Sequence, residues 1–167
     1  NGLINKQDVV NLSNKQAEYL ALQNQINPHF LYNTLEAIRG DALSAGVMGI
    51  AQTTEALATF FRYTITETGN LVTIEDEMEN VDNYFTIQQY RFGDKLRMDV
   101  VVDDDDRSIR RYLVPKLTFQ PIIENAIYHG LENKAEGGVI TIRLQTTEKR
   151  LLISINDNGV GMNKEDV

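Results

Sequence analysis

Two lines of apolar residues at helical spacing run side by side through the first part of the chain, and their combined width limits what it can fold into. Leu20, Leu31, Leu35, Ile38 and Ala42 form one line; Leu22, Ile26, Phe30 and Ala37 form the other. A stripe this broad predicts one long helix over residues 7–45, inside a bundle rather than in a two-stranded seam. Ser44-Ala45-Gly46 reads as its end and a turn. Residues 47–67 read as a second helix with Ile50, Leu57, Phe60, Phe61 and Ile65 on its inner side. A lone helical hairpin leaves much of its apolar face wet. A second copy covers it most economically, so a homodimer forming a four-helix bundle is expected.

The helical period breaks at Gly69-Asn70. Thr73 followed by Ile-Glu-Asp-Glu is an N-cap with acids in the first turn, and the helix it starts is predicted to reach about Phe92, before Gly93-Asp94. Residues 95–102 alternate apolar with polar and read as a strand. Pro115 is taken to open a helix running to Gly130. Residues 138–146 and 150–156 read as two strands, followed by a Gly-rich loop over 157–161. The fold class is therefore α+β: a helical hairpin over 1–70, then an α/β unit over 71–167, with the boundary near 68–73.

Bulk chemistry removes several function classes. Acidic residues outnumber basic ones 24 to 16 and the net charge is −8, so no nucleic acid is expected as the main partner. The chain has no cysteine, which excludes disulfides, thiolate metal sites and cysteine nucleophiles. Asp103 to Asp106 read as a solvated acidic loop. No stretch reaches the ~18–20 apolar residues that span a bilayer, and no signal peptide opens the chain. The expectation is a soluble, cytoplasmic portion of a larger protein, with any membrane attachment supplied by upstream segments.

One segment is chemically unusual: Gln25-Ile26-Asn27-Pro28-His29-Phe30-Leu31-Tyr32-Asn33. Pro28 inside a helical pattern removes a backbone donor and should kink the helix. His29 shares a polar face with Gln25, Tyr32 and Glu36, so its ring should face solvent, and an ordinary imidazole with a pKa of ~6.5 is mostly neutral and nucleophilic at pH 7. Asn33 lies one turn on, within reach of a group carried by His29. A surface histidine beside an incidental proline is the bland alternative. The full segment closely resembles the phosphoacceptor motif of the LytS/YesM-like sensor histidine kinases at all nine positions. That resemblance implies that His29 accepts a phosphoryl group. Phe30 stands where the more common histidine kinases carry an activating acid, so any base for His29 must come from elsewhere.

A second pair of motifs follows. Glu124-Asn125-Ala126 lies on the helix before His129, and Asp157-Asn158-Gly159-Val160-Gly161 follows a strand. Alone, each is a weak signal: an amphipathic helix with a polar edge, and a common turn. Together, separated by two strands, they resemble the N box and first glycine box of the ATP-binding fold shared by gyrase, MutL and histidine kinases. The resemblance implies ATP and magnesium as cofactors, with Asn125 as magnesium ligand. Asp157 would bind the adenine amino group, and Gly159 and Gly161 would shape the loop around the nucleotide. Glu124 and His129 would lie beside the phosphates. The ATP-hydrolysing members carry a glutamate base four residues before the asparagine; Pro121 stands there here and cannot activate water. Many kinases carry Lys three residues after it; here that residue is Tyr128. The stretch Ile74 to Phe92, with Glu77, Tyr84, Gln88, Arg91 and Phe92, also matches the family's connecting region.

These features imply a two-component kinase core that phosphorylates His29 and passes the phosphate to the receiver domain of a response regulator. The alternatives are a catalytically inert dimeric scaffold and, disfavoured by Pro121, an ATPase. The second glycine box and the lid over the phosphates would lie beyond Val167, so the ATP-binding domain is expected to be incomplete, and this chain alone to bind ATP poorly.

Overall fold

The computed structural model describes residues 27–65, 71–102, 107–131, 137–147 and 150–159. Helix α1 spans Pro28–Ser44 and α2 spans Met48–Ile65. The expected single helix over 7–45 is corrected at its start; residues 1–26 lie outside the described part. Asn27 keeps an extended backbone (φ −71°, ψ 105°), and Pro28 occupies the first turn instead of kinking an interior. The cause is local: a residue before proline is pushed out of the helical region, whereas proline costs nothing where the helix has no amide to satisfy.

The turn between the helices lies where Ser44-Ala45-Gly46 predicts it. Gly46 adopts a left-handed φ of 71°. The Gly46 and Val47 amides donate to the carbonyls of Leu43 (3.1 Å) and Ala42 (2.8 Å), closing the helix as a Schellman motif. The buried face of α2 is a stripe of small residues, Ala51, Thr54 and Ala58, which lets the backbone of α1 approach at Leu35 and Ala42. The inner line expected for α2 is thereby shifted: Ile50 and Ile65 are exposed, and Leu57, Phe60 and Phe61 are half-buried.

Helix α3 covers Ile74–Phe92. It starts in a capping box: Asp76 N donates to Thr73 Oγ1 (3.1 Å), and Thr73 N donates to Asp76 Oδ2 (3.0 Å). It ends at Gly93, whose φ is 62°. Immediately before it, strand β1 (Leu71–Thr73) pairs antiparallel with β3 (Leu113–Pro115), a ribbon the sequence pattern does not reveal. Strands β2 (Leu96–Val102), β4 (Gly138–Thr146) and β5 (Leu151–Asp157) form the sheet, in the order β2-β4-β5. β2 runs parallel to β4, and β5 antiparallel to it. A parallel pair needs a crossover, and the chain between β2 and β4 supplies one that contains the short helix α4 (Gln120–Asn125). Ile140, Ile142 and Leu144 on the covered face of β4 share one buried cluster with Ile74, Val81 and Phe85 of α3 and with Phe119, Ile123 and Ile127.

The helix expected to start at Pro115 starts five residues later. Pro115 instead ends β3, and Leu117 adopts φ 61°, which no helix permits.

Ile142→Ala should destabilise the chain by ~2–5 kcal/mol through the cavity it leaves. Arg143→Ala, exposed on the opposite face of β4, should stay within ~0.5 kcal/mol. Urea unfolding followed by circular dichroism distinguishes them.

Candidate functional site

At the start of α1, the Asn27 side chain caps the helix. Its Oδ1 accepts from the amides of His29 (3.1 Å) and Phe30 (3.2 Å). This places His29 in the first turn, exposed to solvent, as its polar neighbours predict. Asn33, one turn on, brings its carboxamide nitrogen to 3.3 Å from both ring nitrogens, where it can donate to whichever of them the tautomer leaves unprotonated. His29 also lines a groove of about 300 Å³ built from α1 and α2, with Tyr32 and Leu35 on one wall and Phe61, Arg62 and Ile65 on the other. The Arg62 guanidinium sits 5.3 Å from the centre of the Tyr32 ring. Arg62 thus brings a cation to the groove wall, a feature the sequence does not announce because α2 lies far from His29 along the chain.

The second centre is a carboxylate that the sequence pattern reads as an ordinary first-turn acid. Glu77 has no solvent exposure. Its Oε1 accepts from the Tyr63 hydroxyl (2.6 Å) and from the Leu117 amide (2.6 Å), and its Oε2 accepts from the Phe119 amide (3.0 Å). Three donors from two other segments compensate the loss of hydration that burial imposes on a carboxylate. One turn along α3, the Asn80 carboxamide donates to Gln120 Oε1 (2.8 Å), and Gln120 Nε2 donates to Glu124 Oε1 (2.7 Å). The sequence did contain a signal for Glu77: it falls at apolar-stripe spacing between Ile74 and Val81, both fully buried.

These contacts set ionisation. Burial, and then the hydrogen bond to Glu77, hold the Tyr63 phenol far above its ordinary value. The Lys116 ammonium, 4.9 Å from the Tyr63 ring centre, is lowered by burial, with the Glu77 charge opposing that shift. Burial raises the Tyr84 phenol, and the Glu124 carboxylate pushes it further in the same direction.

The residues expected to hold a nucleotide belong, where described, to α4, the turn that follows it and the end of β5. Asn125 is the last residue of α4 and is exposed; from Ala126 to Leu131 the helix widens into a π turn. Such turns recur at functional sites. The backbone of His129 lies in this turn, which packs against β4 and β5. Asp157 ends β5 opposite Ile140, so it lies on the helix-covered side of the sheet. Its Oδ1 accepts from the Gly159 amide (2.8 Å), which leaves the carboxylate further acceptor capacity. Asn158, not singled out in the sequence, anchors the loop by accepting from the Val139 amide (2.8 Å). Gly161 lies outside the described residues. Among the described residues, no cluster of three or more His, Asp or Glu side chains could hold a metal. A magnesium ion here would take few ligands from the protein, as the ion does when it bridges nucleotide phosphates, and an exposed Asn125 carboxamide beside Glu124 fits that role.

Two family models match the chain: "Histidine kinase" over residues 17–96, and "Histidine kinase-, DNA gyrase B-, and HSP90-like ATPase" over residues 115–167. The sensor histidine kinase YesM of Bacillus subtilis is 40% identical over 148 residues, covering 89% of this chain and 25% of that protein. The sensor histidine kinase BtsS of Escherichia coli is 32% identical over 162 residues, covering 90% and 28%. The sensor protein LytS of Oceanobacillus iheyensis is 35% identical over 156 residues, covering 90% and 25%. The chain thus spans about a quarter of the length of these relatives. Among solved structures, the kinase domain of a blue-light activated histidine kinase from Erythrobacter litoralis aligns with a TM-score of 0.45 at 15% identity, over 82% of this chain and 75% of that one, too loosely to inform the site.

The raised phenol gives a stability prediction. Tyr63 keeps its proton in the folded chain at a pH where the unfolded phenol, with a pKa of ~10, loses it. Its stabilisation is therefore complete below pH ~10 and is lost as pH rises from there toward the folded value. Urea unfolding at pH 9 and pH 11 should show a loss of stability that is smaller in Tyr63→Phe.

Proposed function

Because the chain belongs to the LytS/YesM-like sensor histidine kinases, we propose that it is the core in which ATP phosphorylates His29 and from which the phosphoryl group passes to an aspartate of a response regulator. The observation that carries this reading is the placement of His29. It is solvent-facing in the capped first turn of α1 and has Asn33 beside its ring nitrogens. A ring nitrogen attacks the terminal phosphorus of ATP in line. The nitrogen–phosphorus bond forms as the bridging oxygen leaves with ADP and its electron pair, and the imidazole's surplus proton passes to solvent. Asn125 would hold a magnesium ion, which would supply charge neutralisation at the phosphates. Asp157 accepts from the adenine amino group, Gly159 and Gly161 let the loop approach the nucleotide, and Glu124 and His129 flank the phosphates. Positioning supplies most of the catalysis.

The groove around His29 is built from the hairpin alone, whereas Asn125 and Asp157 belong to the sheet unit. Transfer therefore requires the two units to bring nucleotide and imidazole together. Hydrolysis is disfavoured because Pro121 sits in the first turn of α4 where a base would be needed. A second copy of the chain is supported by exposed apolar residues near the closed end of the hairpin: Ile38 (44%), Leu43 (46%), Val47 (44%), Met48 (55%) and Ile50 (37%). No helix among the described residues is long and apolar enough to cross a membrane. Attachment to a membrane in the manner of a sensor protein would come from other parts of the protein.

Full-length protein incubated with magnesium and labelled ATP should gain acid-labile, base-stable label that is absent in His29→Ala. Asp157→Asn should weaken nucleotide binding by about tenfold or more, the loss of one hydrogen bond to a charged group. A folded dimer without label would mean a signalling scaffold; rapid free phosphate without labelled protein would mean an ATPase.

A further inference from the structure

We propose that Tyr63 is a positioning residue: through the Glu77 carboxylate, it ties the end of the phosphoacceptor hairpin to the chain that starts the nucleotide helix.

Tyr63 lies in the last turn of α2, which ends at Ile65. Its hydroxyl and the Leu117 amide donate to the same oxygen of Glu77, each at 2.6 Å, and the Phe119 amide donates to the other oxygen at 3.0 Å. Phe119 is the N-cap of α4, and α4 has no capping hydrogen bond from a side chain of its own. Glu77 therefore does from α3 what a local cap does elsewhere: it satisfies amides at the helix start and places negative charge there. It also stabilises the left-handed Leu117, a conformation that persists only when its surroundings enforce it. Asn125 follows six residues after Phe119.

The hairpin enters this hydrogen-bonded arrangement through the Tyr63 hydroxyl, and the Tyr63 ring also meets the Lys116 ammonium. Glu77, Asn80 and the Asn80–Gln120–Glu124 chain all run from α3 to the α4 segment and would hold it without the hairpin. Tyr63 adds the connection to α2. Because it shares Oε1 with the Leu117 amide, a rotation or slide of α2 that pulls the phenol away changes the hydrogen bonding of the turn leading to Asn125. Packing keeps the phenol in place: Phe60, one turn earlier on α2, stacks against Tyr84 of α3 with ring centres 5.7 Å apart. Among the described residues, the hydrogen bond and ring contact of Tyr63 go to Glu77 and Lys116 rather than to His29 or a residue assigned to the nucleotide, so its effect should appear in the transfer step more than in affinity.

The rate readout of this inference rests on the kinase reading above; amide exchange does not. In full-length protein, hydrogen exchange of the Leu117 and Phe119 amides and ATP-dependent phosphorylation of His29 would be measured for wild type, Tyr63→Phe and Glu77→Gln. Tyr63→Phe keeps the ring and removes one charge-assisted hydrogen bond, a change of about tenfold in an equilibrium. Its exchange at those amides should accelerate by about that factor, and kcat should fall severalfold while KM for ATP stays within about twofold. Glu77→Gln presents a donor to amides that need an acceptor, so it should change exchange, kcat and KM together. Unchanged exchange in a folded Tyr63→Phe protein overturns the proposal, and so does altered exchange with unchanged kcat. If wild type carries no phosphoryl group on His29, the kinase reading fails while amide exchange still decides whether the tie exists.

Discussion

A carboxylate with no solvent exposure organises the middle of this protein. Burying a charged group is costly unless donors replace its hydration. Glu77 meets that demand with one hydroxyl from the hairpin and two backbone amides from the chain ahead of α4. Much of the local structure follows. Leu117, whose amide Glu77 holds, turns into the left-handed region, so no helix starts at Pro115, and α4 is confined to Gln120–Asn125. Burial, and then the hydrogen bond to Glu77, raise the Tyr63 phenol above its ordinary value.

The hairpin obeys a different constraint. Small residues on α2 bring it close to α1, which leaves the larger apolar side chains near the turn exposed on the single chain. At the other end, proline and an asparagine cap fix where α1 begins. His29 is thus set in the first turn, where its ring meets solvent and the Asn33 carboxamide at once. In the reaction proposed above, that imidazole meets a nucleotide held by a separate unit, in which Asn125 ends α4 and Asp157 ends β5. The hairpin and the nucleotide helix are therefore linked through α3, whose buried face meets both.

Much of this was legible in the residues, for identifiable reasons. The capping box at Thr73 is purely local, and the α3 start is found to the residue. Strands β2, β4 and β5 alternate clearly enough to be placed within a residue or so of their observed ends. Exposure of His29 followed from its polar neighbours. Three features were hidden because long-range partners decide them. Pro28 reads as a kink unless Asn27 is seen capping. Pro115 reads as a helix start unless β1 is seen pairing with β3. Glu77 reads as a first-turn acid; its spacing with Ile74 and Val81 points inward, but nothing near it in sequence shows that Tyr63, Leu117 and Phe119 will converge on it. The assigned roles of Asn125, Asp157 and Gly159 came from motif resemblance; the fold adds that the first two lie on elements packed together.

The central claim is that the His29 imidazole is the group that takes the phosphoryl from ATP. The most direct measurement is site localisation by tandem mass spectrometry on full-length protein incubated with magnesium ATP and kept at alkaline pH, where phosphoramidates survive. The account predicts one phosphoryl group on the peptide that contains His29, bonded to a ring nitrogen of that residue. Modification of a different residue, or none on a protein that demonstrably binds the nucleotide, would contradict it.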